Sequence, residues 1–365
     1  MRAILFGVSL LFAPLLTGGA AAQDVSPLGL TPKEPDYEVT EILDGEKEDK
    51  PRGISGIACL PAAGAAPRQC LVVNDERRKA QLVTIENNKM APGKDVGLIG
   101  KDESESTLGQ KPNVTTCPGG PDDFDDLDGE GVAYAAPYFY VVGSHGCSRN
   151  KGKFKLSSFI LARVRVDAGG KPSDDPETTY RLSDVLGLAP TVRPFFGKGL
   201  MRPQGANEEP NGLNIEGIAV IGDQLFVGLR APSIKGQAFV VRASVADLFA
   251  NEEKKHARSQ AVPELIPLPL GENVGIRDLT PLPNGQLLIL AGPAQEQKVP
   301  YSLFVAEPRG DGLLKKIGVL KKPSGEDEDR KAEAVTLLGP DRVLILFDSV
   351  LNGGPREYRL ASPLY

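Results

Sequence analysis

The chain has 365 residues, 41% hydrophobic and 25% charged, which is ample material for a soluble globular core. Its 41 glycines and 31 prolines make up about a fifth of the residues, more punctuation than a helical protein carries, and favour many short strands joined by turns. The net charge of −6 comes without a basic block and argues against a nucleic-acid binder; zero Trp and 6% aromatics argue against aromatic cages, and two histidines exclude a multi-histidine metal centre.

Residues 1–22 read as a secretory signal: Arg2, then an apolar run from Ala3 to Leu16, then the small residues Ala20, Ala21 and Ala22. The run is too short to span a bilayer, and no later segment reaches about 18 uninterrupted apolar residues, so no membrane span is expected. The expected product is periplasmic or secreted, with a linker over 23–36 and a single domain over 37–365. In an oxidising compartment the four cysteines are read as two disulfides. Cys59 ends one strand-like run and Cys70 begins the next, so a Cys59–Cys70 pair is preferred, leaving Cys117 with Cys147. No Cys-x-x-Cys spacing supports zinc or thioredoxin-like chemistry.

Five segments share one plan of a small-residue strand, a turn and an apolar β-branched strand. They open at Ser55-Gly56-Ile57, Glu130-Gly131-Val132, Glu216-Gly217-Ile218, Asp278-Leu279-Thr280 and Glu333-Ala334-Val335. Their second strands run to Asp75, His145, Arg230, Gly292 and Asp348. A constant hairpin with variable loops predicts an all-β fold, a β-propeller of five blades, with a β-sandwich as the structural alternative. Third strands are expected at Leu82–Ile85, Phe159–Val166, Ala238–Ala243, Tyr301–Ala306 and Tyr358–Leu360, and fourth strands at positions such as Thr178–Leu182 and Lys315–Leu320. The count becomes six if Arg181–Pro210 hides a degenerate blade. The fifth repeat runs out of chain, and the alternating Tyr37–Leu43 is expected to supply the outer strand of the last blade and close the ring. One helix is expected, from Ser244 to His256, with Ser244 and Asp247 in a capping box. His256, near its end, is given no role, and the charged stretch from Lys321 to Lys331 is read as an exposed loop.

In a propeller the first strand of each blade lines the central channel. Aligning the repeats places Ser55, Glu130, Glu216, Asp278 and Glu333 at equivalent positions around its mouth. Gathered carboxylates repel unless a cation or basic side chains offset them. Glu130, Glu216, Asp278 and Glu333 are therefore candidate ligands for Ca²⁺ or another divalent cation, with no organic cofactor expected. Asp75, His145, Arg230, Arg277 and Asp348 are candidates for contacting a small polar or anionic ligand, with Arg52 nearby. The bland alternative is a structural girdle of ion pairs between blades. Two other readings are a metal-dependent phosphoesterase or lactonase using the same residues, and a scaffold for a protein partner presenting loops 99–128 and 183–213. No catalytic residue is assigned. Val142-Gly143-Ser144-His145-Gly146 lacks the first glycine of a nucleophile elbow, and the acidic run Asp122–Gly129 fails the EF-hand spacing.

Asn214-Ile215-Glu216-Gly217-Ile218-Ala219 leading to Val227-Gly228-Leu229-Arg230-Ala231-Pro232 resembles a family of bacterial exported proteins known only as a domain of unknown function. Gly275-Ile276-Arg277-Asp278-Leu279 with Leu290-Ala291-Gly292-Pro293, and Val142-Gly143-Ser144-His145, are similar to the same family. The resemblance spans about Arg52 to Asp348 and implies a propeller outside the cytoplasm. More distantly the chain is similar to phytase-like, esterase-type propellers whose blades open with comparable Glu-Gly steps; Ser55 in the first blade departs from that pattern. A shared fold does not by itself transfer an activity.

Overall fold

The computed structural model describes residues 28–34, 36–43, 54–61, 67–114, 117, 123–148, 152–200, 212–251, 263–309, 314–321 and 330–365. The expected signal segment 1–22, Arg52 and His256 lie outside them.

The five repeats form five antiparallel sheets, each a blade of a β-propeller. Blade one runs Gly56–Cys59, Arg68–Val73, Lys79–Glu86 and Lys89–Gly97 from the axis outward. Blade two runs Gly129–Ala135, Tyr138–Gly143, Leu161–Arg165 and Glu177–Thr179; blade three runs Asn214–Ile221, Gln224–Ile234, Gln237–Ser244 and Glu264–Leu268. Blade four runs Val274–Pro281, Leu287–Pro293, Ser302–Ala306 and Leu314–Leu320, and blade five Lys331–Gly339, Arg342–Asp348 and Arg356–Arg359. Each innermost strand packs on that of the next blade, and the fifth packs on the first.

The hydrophobic pattern follows from this stacking. Both faces of a blade are covered by its neighbours, so the second strands bury consecutive residues: Leu287 to Ala291 and Val343 to Phe347 are all buried. The core divides into five clusters, one in each seam between adjacent blades. Near the axis the seams are closed by backbone against backbone. A Cβ on Gly217 would lie 2.5 Å from Asp278 Cα, and one on Gly131 would lie 2.9 Å from the Ile218 nitrogen. That contact is the reason for glycine after the opening acid in these blades.

Both expected disulfides form. Cys59 and Cys70 sit directly opposite each other on adjacent strands of blade one, and Cys117 joins Cys147 just beyond the second strand of blade two. Among the described residues no helix is long and apolar enough to cross a membrane.

The N-terminal segment closes the ring, with a different distribution from the expected one. Gly29–Leu30 pairs in parallel with Val319–Leu320 at the outer edge of blade four. Pro32 then bridges Tyr358, and the Lys33 N–H donates to Glu357 O on the three-stranded last blade. Glu38–Val39, expected on that blade, pairs instead in parallel with Lys89–Met90 of blade one. Residues 28–34 and 36–43 are thus a strap across three blades. Buried charges on the last strand hold it: Arg356 pairs with Asp36 at 2.7 Å, and Glu357 accepts a hydrogen bond from the Tyr37 hydroxyl at 3.2 Å. Buried apolar side chains hold it as well, with Leu30 in the seam between blades four and five and Leu43 in the seam between five and one.

Two local expectations change. Residues 181–200 hold no sixth blade: the strand Glu177–Thr179 stops and a helix follows over Arg181–Leu188. Arg181 is buried, with its guanidinium donating to the Leu248 and Ala250 carbonyl oxygens at 3.3 and 2.6 Å. The helix expected from Ser244 is capped as predicted, Ser244 Oγ accepting from Asp247 N at 3.3 Å, but spans only Val245–Leu248. Phe249 ends it, buried with the Arg163 guanidinium 4.1 Å from its ring centroid.

Leu30→Ala should lower the unfolding free energy by about 2–4 kcal/mol in denaturant titration, because the strap cannot collapse onto the lost volume. A loss below about 1 kcal/mol would mean that the strap is undocked in solution. Gly217→Ala should cost about 1–3 kcal/mol through the same kind of titration, since the atoms it meets are backbone of the next blade.

Candidate functional site

The innermost strands of blades two to five each carry a bulge near their start. The ladder steps from Gly129 to Gly131, from Ile215 to Gly217, from Ile276 to Asp278 and from Ala332 to Ala334 while the partner strand advances one residue. The four extra residues are Glu130, Glu216, Arg277 and Glu333. A bulged residue leaves the ladder and its side chain is re-aimed. This register corrects the repeat alignment in blade four: Arg277, and not Asp278, is the equivalent of the three glutamates. Blades three, four and five therefore present Glu216, Arg277 and Glu333 in ring order.

Charge alternation along that arc produces a buried ion-pair network. Arg277 Nη2 lies 3.5 Å from Glu216 Oε2 and pairs with Glu333 Oε1, while Arg230 Nη1 lies 2.7 Å from Glu216 Oε1. Each of the four residues is at most 5% exposed. Burial opposes the charge on Glu216, but Arg277 and Arg230 outweigh it and hold its carboxyl below the usual range. Burial raises Glu333 to about 7, with Arg277 pulling against that shift and Glu216 adding to it. Arg277 itself is lowered by burial and raised further by the two glutamates, so it stays charged. Its Nε and Glu333 Oε2 are buried without a hydrogen-bond partner.

Asp278, one residue on, has a different task. Its Oδ1 accepts from Leu279 N at 2.8 Å and its Oδ2 from Val335 N at 2.7 Å, stitching blade four to blade five. Burial nonetheless pushes its pKa well up, because those two N–H donors offset only part of the desolvation.

Arg230 and Arg277 also line a cavity of about 520 Å³. It lies between residues 293–301, which follow the second strand of blade four, and the edges of blades four and five at Leu320, Lys331, Phe347 and Tyr358. Lys298, Lys321 and Arg330 complete a set of six cationic side chains around it, against a single carboxylate, Glu296, among the described residues. Gly292 makes room at its floor: a Cβ there would lie 2.5 Å from the Tyr301 ring and 3.1 Å from Arg277 Cγ. Burial, offset in part by Arg277, pushes the Tyr301 hydroxyl up to about 12, so it remains a hydrogen-bond donor at neutral pH. A second cavity, of about 400 Å³, lies at the opposite ends of the innermost strands, lined by Ile57, Tyr134, Pro281 and Leu337 among others.

The other half of the mouth is acidic. Asp75 is raised to about 8 by burial and then by Asp128 and Asp348. Asp128 is raised to about 6 by burial, against a stabilising hydrogen bond from the Ser144 hydroxyl. Glu130, partly exposed, is pushed well up by desolvation and by Glu216, Asp128, Asp75 and Glu333. Within the acidic turn, Asp125 pairs with Arg78 and Asp126 with Lys155, each at 2.8 Å.

Of the ligand-contacting residues expected from sequence, Arg230 and Arg277 reach the cavity. Asp348 stands beside it, 4.0 Å from Lys331, and Asp75 lies on the acidic side. His145 is drawn away: it is fully buried 5.7 Å from the Phe159 ring centroid, with Nδ1 against Gly143 O at 3.0 Å. Burial lowers its pKa to about 4, so it is neutral. Of the four expected metal ligands, Glu216 and Glu333 face arginines, Asp278 faces backbone donors, and Glu130 faces other carboxylates. Among the described residues no group of three or more His, Cys, Asp or Glu side chains is arranged to hold a metal ion. Sequence reasoning missed Lys298, Tyr301, Lys321, Arg330 and Phe347. Only the two ends of the charged stretch 321–331 hinted at them.

A family model described as "Protein of unknown function (DUF3616)" matches residues 109–165 and 184–358. No curated protein matches the chain. Among solved structures, a hypothetical protein from Leishmania major is similar at 11% identity and a TM-score of 0.41, over 90% of this chain and 91% of that one. A protein titled glucose dehydrogenase is similar at 12% identity and a TM-score of 0.38, over 86% of this chain and 97% of that one. A putative 6-phosphogluconolactonase from Bacteroides uniformis is similar at 13% identity and a TM-score of 0.33, over 85% of this chain and 72% of that one. These likenesses are too weak to bear on activity.

The acidic side gives stability a definite pH dependence. An acid whose folded pKa exceeds its unfolded value keeps a proton that the unfolded chain has released. For Asp75, with a folded pKa of about 8, this contribution is fully present below the ordinary aspartate range and is lost as pH rises to about 8. Asp75→Asn should therefore raise the melting temperature at about pH 9 and leave it nearly unchanged at about pH 4. Equal shifts at both pH values would contradict the assignment.

Proposed function

The chain belongs to the family described as a protein of unknown function (DUF3616), and on its own geometry we propose that it is an exported propeller that binds a small anion in the cleft between blades four and five. The expected signal segment and the two disulfides support the export part of the reading. One observation carries the ligand part: among the described residues, six cationic side chains and one carboxylate surround a cavity of about 520 Å³ in a chain whose net charge is −6. Such a volume is typical of small-molecule sites.

The cations divide by role. Arg230 and Arg277 are held rigidly: Arg230 Nε donates to Ala294 O at 3.0 Å, and Arg277 Nη1 to Pro293 O at 3.4 Å. Their positive charge is largely matched by Glu216 and Glu333, so they form a preorganised floor. Lys298 and Lys321 make no ion pair among the described residues and supply the uncompensated charge.

Calorimetric titration at low ionic strength with phosphate, sulfate, citrate and glucuronate tests this. At least one of these anions should bind, with affinity falling as salt is raised. The Lys298→Gln/Lys321→Gln double variant should weaken it by about tenfold. Absence of binding by all four, or binding that the double variant leaves unchanged, would overturn the proposal.

A further inference from the structure

The cleft is not uniformly polar. Besides the cations its lining includes an apolar wall of Leu320, Phe347 and Tyr358, together with Val299 and Tyr301. Phe347 and Tyr358 belong to the packed core between blades four and five, and Leu320 and Tyr301 pack against it. The wall is therefore rigid, and its apolar surface is presented by side chains that the fold already holds in place.

Resting on the anion-binding reading above, we propose that the natural occupant is an amphipathic anion: a carboxylate or phosphomonoester carried on an aromatic or alicyclic body. An inorganic anion would satisfy the lysines and leave the partly exposed apolar lining at Leu320 and Val299 in water. A neutral apolar molecule would cover the wall and strip water from the cations without replacing it. A ligand with one charged end and one ring satisfies both, and the cavity is larger than a lone phosphate or sulfate needs. The geometry fits this division. The Lys298 and Lys321 ammonium groups and the protonated Tyr301 hydroxyl can donate to an anionic head, and Leu320, Phe347 and Tyr358 line the same cavity for a ring.

Titration calorimetry with matched probes separates this inference from the reading beneath it. Phenyl phosphate should bind about tenfold or more tightly than inorganic phosphate, and cyclohexanecarboxylate than acetate, since a buried ring removes on the order of 100 Å² of apolar surface from water. The ring-bearing probes should also show a more negative heat-capacity change. Val299→Ser, on the loop and away from the packed core, should reduce the gain from the ring about threefold. Where phosphomonoester and carboxylate rings differ in affinity, the tighter one names the head group. Equal affinities for ring-bearing and ring-free probes, or glucuronate matching cyclohexanecarboxylate, would overturn the amphipathic class while leaving anion binding standing. Binding of none of the probes would overturn both.

Discussion

The guanidinium of Arg277 sits between two buried carboxylates contributed by the blades on either side, and much of the channel mouth depends on it. Arg277 reaches Glu216 of blade three and Glu333 of blade five from the bulge of blade four. Buried ion pairs add little net stability, because desolvation offsets the Coulombic gain, yet removal of one partner typically costs about 3–5 kcal/mol. The network therefore acts less as a source of stability than as a constraint on geometry: the three bulges must stay in register for any of these charges to be tolerated.

The same arrangement divides the mouth by sign. Blades one and two contribute Asp75, Asp128 and Glu130 with little to oppose them, and their pKa values rise accordingly. Blades three to five contribute Arg230, Arg277, Lys298, Lys321, Arg330 and Lys331. Glu216 and Glu333 lie where the halves meet, and their contrasting shifts follow from position. Glu216 has two arginine partners and stays ionised, whereas Glu333 has one and titrates near 7.

Ring closure places the cleft. The last blade has three strands, and the strap of residues 28–34 and 36–43 finishes it from outside by pairing across blades four, five and one. Leu320 and Tyr358, which line the cleft, both sit on strands that the strap covers. The wall of the proposed binding site is thus stabilised by residues distant from it in sequence.

Much of the architecture was legible in the residues alone. Each hairpin is local, its strands carry apolar β-branched runs because both faces are covered, and glycine stands where backbones approach. The blade count and both disulfides followed from spacing. Ring closure from the N-terminus followed from the missing outer strand, though Glu38–Val39 went to blade one. What sequence could not show was the bulge, because a one-residue slip in the ladder leaves no mark on composition or period. Asp278 was consequently placed where Arg277 stands, and a fourth carboxylate was expected where an arginine sits between Glu216 and Glu333. His145 looked equivalent to Arg230 in the alignment, yet packing beside Phe159 took it into the core. The helix at Arg181–Leu188 and the cationic cleft were hidden for a related reason: Arg181 is held by carbonyls at 248 and 250, and the cleft gathers side chains from residues 230 to 358. Short-range pattern determined the blades, and only the long-range register of their inner strands decided which charges meet.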